Sequence, residues 1–336
     1  MPTAPANRRL QGITAGLLAL ALAWIGWRAC RSGFSLEQSL RALQSIDMKW
    51  FLTAAGLLLT TYLGRAYRWR WLLAGLPGPV RLLPVMAGTV IGFTAILFFG
   101  RAGELVRPWL IAQRTGTPFV AQIGAWALER ILDLWMVLLL FGLAVSQIAA
   151  SSARIPARFA GTIQTGGWLA ALLGLACLIL VLAWPVVRRL VDGSPRLGRW
   201  ASDLDGAMRS IRNPTALVMI FWVSVVEWLV TVAASYCLMQ AFPATSGFGW
   251  TDTIVFFGLI AFGSAVQLPG IGGGTQVTTI IVLTELFSVA LEPATTFALM
   301  AWILNFALIA PFGLLWALHD GLNWKNLRNL QGSPSA

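Results

Sequence analysis

Apolar runs approaching the roughly 20 residues of a membrane crossing recur along this chain from residue 10 to residue 318. They constrain it more than any other feature. Six read as full spans: 10–28, 50–66, 122–148, 166–187, 216–241 and 294–318. Charge is correspondingly scarce, with 57% of the 336 residues apolar and 11% charged, against about 25% charged in soluble domains. No polar block between the runs is large enough to fold separately. The expectation is an all-α polytopic membrane protein, a single integral membrane domain over residues 1–336. Arg8 and Arg9 precede the first run as in a signal peptide, but "WRAC" has no small-x-small cleavage pattern. That run reads as an uncleaved span.

The net charge of +11 comes from 22 Arg and 2 Lys against 13 acids, clustered between the runs. This is the pattern of loops beside anionic lipid, not of a nucleic-acid groove. Segment 188–212 carries six arginines and segment 65–81 four, which places both in the cytoplasm. Parity then decides what lies between. Residues 84–118 enter from the cytoplasm and must leave to it, so they read as a re-entrant hairpin. Segment 250–291 starts outside and either crosses twice or dips and returns; the Gly- and Pro-rich "QLPGIGGGTQ" at its centre favours a second hairpin. Inside segments then hold 17 Lys and Arg and outside segments 6, with both termini cytoplasmic. About six full spans and two hairpins result. Their order in 1–150 repeats in 160–320 with opposite orientation, an inverted repeat of the kind that builds midplane sites in transporters.

Ionisable residues at membrane depth are costly and are functional candidates by default. "LFFGRAGELVRPWLIAQR", residues 97–114, places Arg101, Glu104, Arg107 and Arg114 at the turn and return arm of the first hairpin. In "ALERILDLW", Glu129 and Asp133 are four apart and share a helix face, with Arg130 about 100° round from Glu129. Arg101 or Arg107 is their natural partner, either as a pin between hairpin and span or as part of a substrate or proton site. Glu227 lies near the middle of its span. Arg101, Arg107 and Arg114 can hold a lipid phosphate through their guanidinium forks, or sit as ordinary headgroup-layer charges. The glycines of 270–274 form either an anion nest or a tight turn.

Other chemistries have no foothold. There is no GxxxxGK[ST] loop, no HExxH and no GxGxxG, while Cys30, Cys177, Cys237 and His319 are scattered. No cofactor, metal or catalytic residue is expected. Movement fits better than catalysis.

Three motifs in order, "GRAGELVRPWLI", "ALERILDLW" and a late "LPGIGGGTQ", make the chain resemble the transmembrane region of lysylphosphatidylglycerol synthases and the stand-alone flippase-like proteins built on it, over roughly residues 45–320. The resemblance implies an inner-membrane lipid handler. Arg101, Gly103, Glu104 and Arg107 match the first motif, and Glu129, Arg130 and Asp133 the second. Pro269, Gly272, Gly273, Gly274 and Gln276 fall in the third. Phe99 stands where the family often has Pro, and Gln276 where many members have Glu, so a titrating role there would be absent. The two-domain members add an aminoacyltransferase domain, and this chain is expected to act without one. The leading expectation is a non-enzymatic transporter moving a phosphate- or sugar-bearing headgroup between leaflets of the bacterial inner membrane. Phospholipid, glycolipid, polyprenyl-linked lipid and hopanoid are all open as cargo. The rivals are a scaffold for a lipid-modifying enzyme, and a transferase using Glu104 and Asp133 as acid and base.

Overall fold

A computed structural model of the chain describes residues 35–76, 80–147, 213–263, 267–268 and 272–320, with five helical positions between 165 and 179. The apolar run 10–28, the arginine-rich 188–212 and nearly all of 166–187 lie outside the described residues. What is described is all-helical apart from one two-residue antiparallel bridge, Gln267 with Gly273 and Leu268 with Gly272. The helices are α1 (Leu36–Gln44), α2 (Met48–Leu72), α3 (Leu82–Phe99), α4 (Val106–Thr115), α5 (Phe119–Gln147), α6 (Pro214–Ala241), α7 (Trp250–Gly263), α8 (Gly274–Ile281) and α9 (Leu291–His319).

By length and composition α3, α6 and α9 can each cross a membrane. At 25 and 29 residues, α2 and α5 have the length as well. In contrast, α4 with 10 residues and α8 with 8 reach only about 15 and 12 Å. Both are short arms lying against a longer one, α4 on α3 and α8 on α7. The same order therefore occurs twice: long helix, arm, irregular link, short arm, long helix. A 3-10 segment, Gly100–Leu105, makes the first link, and the β-bridge with its glycines makes the second.

The local chemistry explains where these elements start and stop. Asn213 caps α6 by accepting the N–H groups of Thr215 and Ala216, and Pro214 occupies the first helical position, where no N–H is needed. Gly100 ends α3 at φ 59, and Gly116 ends α4 at φ 65, left-handed values that cost glycine little. The break at the first hairpin thus comes from Gly100, although Phe99 occupies the place of a helix-breaking Pro.

The chain divides into two compact units, one of residues 1–58, 130–185 and 225–303, the other of 59–129, 186–224 and 304–336. In the first, the N–H of Asp47 donates to the carbonyl of Ala241, so the start of α2 meets the end of α6. There Tyr236 stacks on Trp250 at 4.2 Å, and Phe297 packs against both Phe242 and Phe256. The second unit holds the α3–α4 hairpin and the buried charges.

Candidate functional site

Backbone proximity comes first. Gly88 and Gly92 lie one turn apart on α3 and face Ile111 and Arg107 of α4. A Cβ on Gly92 would stand 2.5 Å from the Arg107 Cβ, and one on Gly88 2.6 Å from Ile111 Cγ1. Gly103 touches the Ala95 backbone, which a Cβ would meet at 2.4 Å. Small residues at these three points let the return arm lie directly on α3, as in close helix pairs within membranes. Pro108 stands in the first turn of α4, where proline is tolerated in a helix. The seam delivers Arg107 into the interior.

Arg107 there meets Glu129 of α5. Its Nη1 lies 3.1 Å from Oε1 and 3.0 Å from Oε2, and its Nη2 donates to the carbonyl of Arg65 at 3.0 Å. The guanidinium lies over the Trp69 ring, 4.0 Å from its centroid, a cation–π contact strengthened by desolvation. A second arginine shares the carboxylate: Arg68 Nη2 reaches Glu129 Oε1 at 3.0 Å, while its Nη1 donates to Ser224 Oγ at 3.2 Å. All three charged side chains are 5% exposed or less. Ions so placed are tolerable only with close geometry and satisfied hydrogen-bonding groups, and here four helices supply them.

A second chain of polar groups fixes the turn that follows. Trp69 Nε1 donates to Gln122 Oε1 at 2.8 Å, Gln122 Nε2 to Thr117 Oγ1 at 2.7 Å, and Thr117 and Thr115 share a bond of 2.8 Å between hydroxyls. The α4–α5 turn is thereby tied to α2. At the far end of α4, Arg114 forms an ion pair with Asp320, and His319 Nδ1 lies 3.3 Å from the same carboxyl group. This pair is partly exposed and weakly held by comparison.

The other residues singled out by sequence are spread more widely. The backbone of Arg101 and the half-buried Glu104 belong to the 3-10 segment. Arg130 and Asp133 pair with each other at 2.9 Å, across i,i+3 on α5. Glu227 is buried on α6, and its backbone carbonyl accepts from Thr231 Oγ1. Gly272 and Gly273 make the β-bridge, Gly274 starts α8 and Gln276 is half-buried on it; Pro269 lies outside the described residues. The sequence offers Arg101 or Arg107 to Glu129 and Asp133 together; the structure gives Arg107 to Glu129 and Arg130 to Asp133, and Arg68, Trp69, Gln122 and Ser224 are missed. "RAYRWRW" reads as the start of a cytoplasmic loop, whereas α2 continues to Leu72 and buries Arg68 and Trp69 completely. A usable signal exists in the Gly88-x3-Gly92 spacing, which marks a close crossing. No cluster of metal-ligating side chains occurs among the described residues.

Comparison with known proteins places this geometry in context. The family model for the lysylphosphatidylglycerol synthase TM region matches residues 12–313. Searches of curated proteins and of solved structures found no match.

Proposed function

Since the chain belongs to the lysylphosphatidylglycerol synthase transmembrane-region family, we propose that it moves a phosphate- or sugar-bearing lipid headgroup between leaflets of the bacterial inner membrane, with both termini in the cytoplasm. The observation that carries this reading is the Arg68–Glu129–Arg107 cluster, three ionised groups buried where a short helical arm meets three long helices. Lipid-facing helices have no use for such a cluster. A hairpin that must hold a fixed place at membrane depth does, because irregular backbone there has to lie against protein or water.

The repeated order of elements supports the same reading. In both runs a short arm and an irregular link interrupt the helices, the arrangement by which inverted repeats form midplane sites. The start of α2 beside the end of α6 is the antiparallel relation that such a repeat requires. On this reading Arg68 and Arg107 position the hairpin, because both already hold Glu129. Glu104, Arg101 and the Arg130–Asp133 pair are the groups offered to cargo. Glu227, on a separate helix, serves as the coupling carboxyl. The protein acts as a carrier, not an enzyme.

The test is leaflet exchange by purified protein in vesicles, over phospholipids, glycolipids, polyprenyl phosphates and hopanoids. Faster exchange of at least one class than in protein-free vesicles is expected. A second reading, an accessory subunit for a lipid-modifying enzyme, draws on how completely the cluster is enclosed. It predicts a pull-down that depends on residues 188–215 and survives neutralisation of the hairpin charges.

A further inference from the structure

The α3–α4 hairpin is held toward α2 and α5 by ties that cannot be undone cheaply. Arg107 is shared by Glu129, the Arg65 carbonyl and the Trp69 ring. The polar chain that starts at Trp69 has a fixed sense. An indole only donates, so Gln122 turns its oxygen to Trp69 and its NH2 to Thr117. Thr115 gives its proton to the Ile111 carbonyl at 2.6 Å, so in the bond between the two hydroxyls Thr117 donates. Drawing α4 away from α2 or α5 breaks this sequence and leaves Trp69 and Gln122, both fully buried, without these partners.

Toward the end of α9 the hairpin's ties are few and reversible. Of the ten residues Pro311–Asp320, Gly313 is the one that is buried, while Phe312, Leu314, Leu315 and Leu318 are exposed. Gly313 lies against α3, where a Cβ would collide with the Thr94 hydroxyl. That hydroxyl has two acceptors in reach, the Ile309 carbonyl of α9 at 3.1 Å and the Val90 carbonyl of its own helix at 3.0 Å. If α9 withdraws, Thr94 keeps Val90, and Ile309 keeps the N–H that its own helix supplies, so no buried group is stranded. The other tie is the Arg114–Asp320 pair, with side chains 18% and 27% exposed, in which Arg114 Nη1 has no partner among the described residues. Such a pair holds weakly. Asp320 moves with α9, since its N–H donates to the Trp316 carbonyl at 3.0 Å. Pro311 supplies the pivot: it has no N–H to give to Ala307, and a proline inside a helix is the usual site of a bend. Before the pivot, Phe306 stays packed on Phe98 of α3 at 5.8 Å. Resting on the transport reading above for its role, though not for its motion, we propose that the end of α9 beyond Pro311 is a gate. It swings away from a stationary α3–α4 hairpin, with Arg114–Asp320 as its latch, and admits the headgroup where it parts from Thr94 and Arg114.

Full-length protein with Cys30, Cys177 and Cys237 changed to Ser serves for the test. Spin labels on Gln113→Cys and Leu318→Cys, both exposed positions, should show two separations, and Asp320→Asn should raise the share of the longer one by up to about fivefold, the most that an exposed ion pair is worth. A single narrow separation, or a share that Asp320→Asn leaves unchanged, overturns the gate. Exchange is then followed in vesicles with acyl-labelled phosphatidylglycerol, glucosyl diacylglycerol and labelled polyprenyl phosphate. Arg114→Cys with Asp320→Cys should form a disulfide within the chain on oxidation, slow the exchange by about tenfold or more, and recover with reductant. Pro311→Ala, which restores the missing N–H, should keep the folded yield and slow exchange by about threefold or more. Failure of the disulfide to form within the chain, exchange indifferent to it, or Pro311→Ala exchange as fast as that of the parent overturns the proposal. Two separations in a protein that exchanges none of the three lipids overturn the transport reading and not the hinge; one separation in a protein that exchanges lipid overturns the hinge and not the transport reading.

Discussion

Glu129→Gln removes a charge and almost no volume, which makes it the most informative single substitution in the buried cluster. The variant leaves two guanidiniums, with side chains 1% and 5% exposed, facing an amide in place of a carboxylate. The Gln oxygen accepts one hydrogen bond, but its NH2 group presents donors to donors. The contacts that survive include Arg68 to Ser224 Oγ at 3.2 Å, Arg107 to the Arg65 carbonyl at 3.0 Å, and Arg107 over Trp69. Removing one member of a buried pair costs about 3–5 kcal/mol, and this carboxylate serves two cations, so the upper end applies. Against a total stability of about 5–15 kcal/mol, folded protein should fall severely. The assay is the thermal midpoint of detergent-purified protein, followed by size-exclusion chromatography after heating. A companion variant separates charge from shape: Arg68→Met, Glu129→Leu and Arg107→Met together remove every charge of the cluster, and apolar replacement of such triads is often neutral or stabilising by about 1–4 kcal/mol. The midpoint should drop for the single variant and return to the wild-type value or above for the triple. An unchanged midpoint in Glu129→Gln, or a triple variant as unstable as the single one, would refute the reasoning.

Three further outcomes follow from the geometry. Gly92→Ala sets a Cβ 2.5 Å from the Arg107 Cβ and 2.9 Å from its Cα, so α4 must move; we expect a loss of about 1–3 kcal/mol in the same melting assay, and wild-type stability would contradict the seam. Arg114→Ala breaks only the partly exposed pair with Asp320 and should cost no more than about 1 kcal/mol; a loss as large as that of Glu129→Gln would mean that the end of α4 is shielded from water. Glu227→Gln should retain abundance while making exchange insensitive to an imposed pH gradient, and a variant that responds like the wild type would remove Glu227 from the coupling role.

Part of this architecture is legible in the amino-acid sequence. The apolar run from 84, the glycine at 100 and the charges of 101–114 specify a helix, a break and a returning arm, and the rule that buried charges must be paired leads from Glu129 to the hairpin arginines Arg101 and Arg107 without choosing between them. Arg68 is hidden by the same rule that finds the topology. Counting Arg65, Arg68 and Arg70 as loop charge assumes that a helix ends where its apolar run ends. In α2 the run ends near residue 66, yet the helix continues to Leu72 because Arg68 and Trp69 have partners on other helices. Asp133 illustrates a different limit. Its shared face with Glu129 suggests a shared partner, but Arg130, three residues back, is within reach on the same helix. Which neighbour takes a charge depends on tertiary distances that spacing alone does not contain.

If this membrane domain carries lipid headgroups, its enclosed charges hold the hairpin in the position that transport requires. Leaflet exchange by the wild type and by the Arg68→Met, Glu129→Leu, Arg107→Met triple variant, in vesicles of the same composition and at equal amounts of folded protein, tests this most directly. Exchange well above protein-free vesicles is predicted for the wild type, and a loss of at least tenfold for the stable triple variant. Wild-type vesicles that exchange no faster than protein-free ones, or a triple variant that exchanges as fast as the wild type, would contradict it.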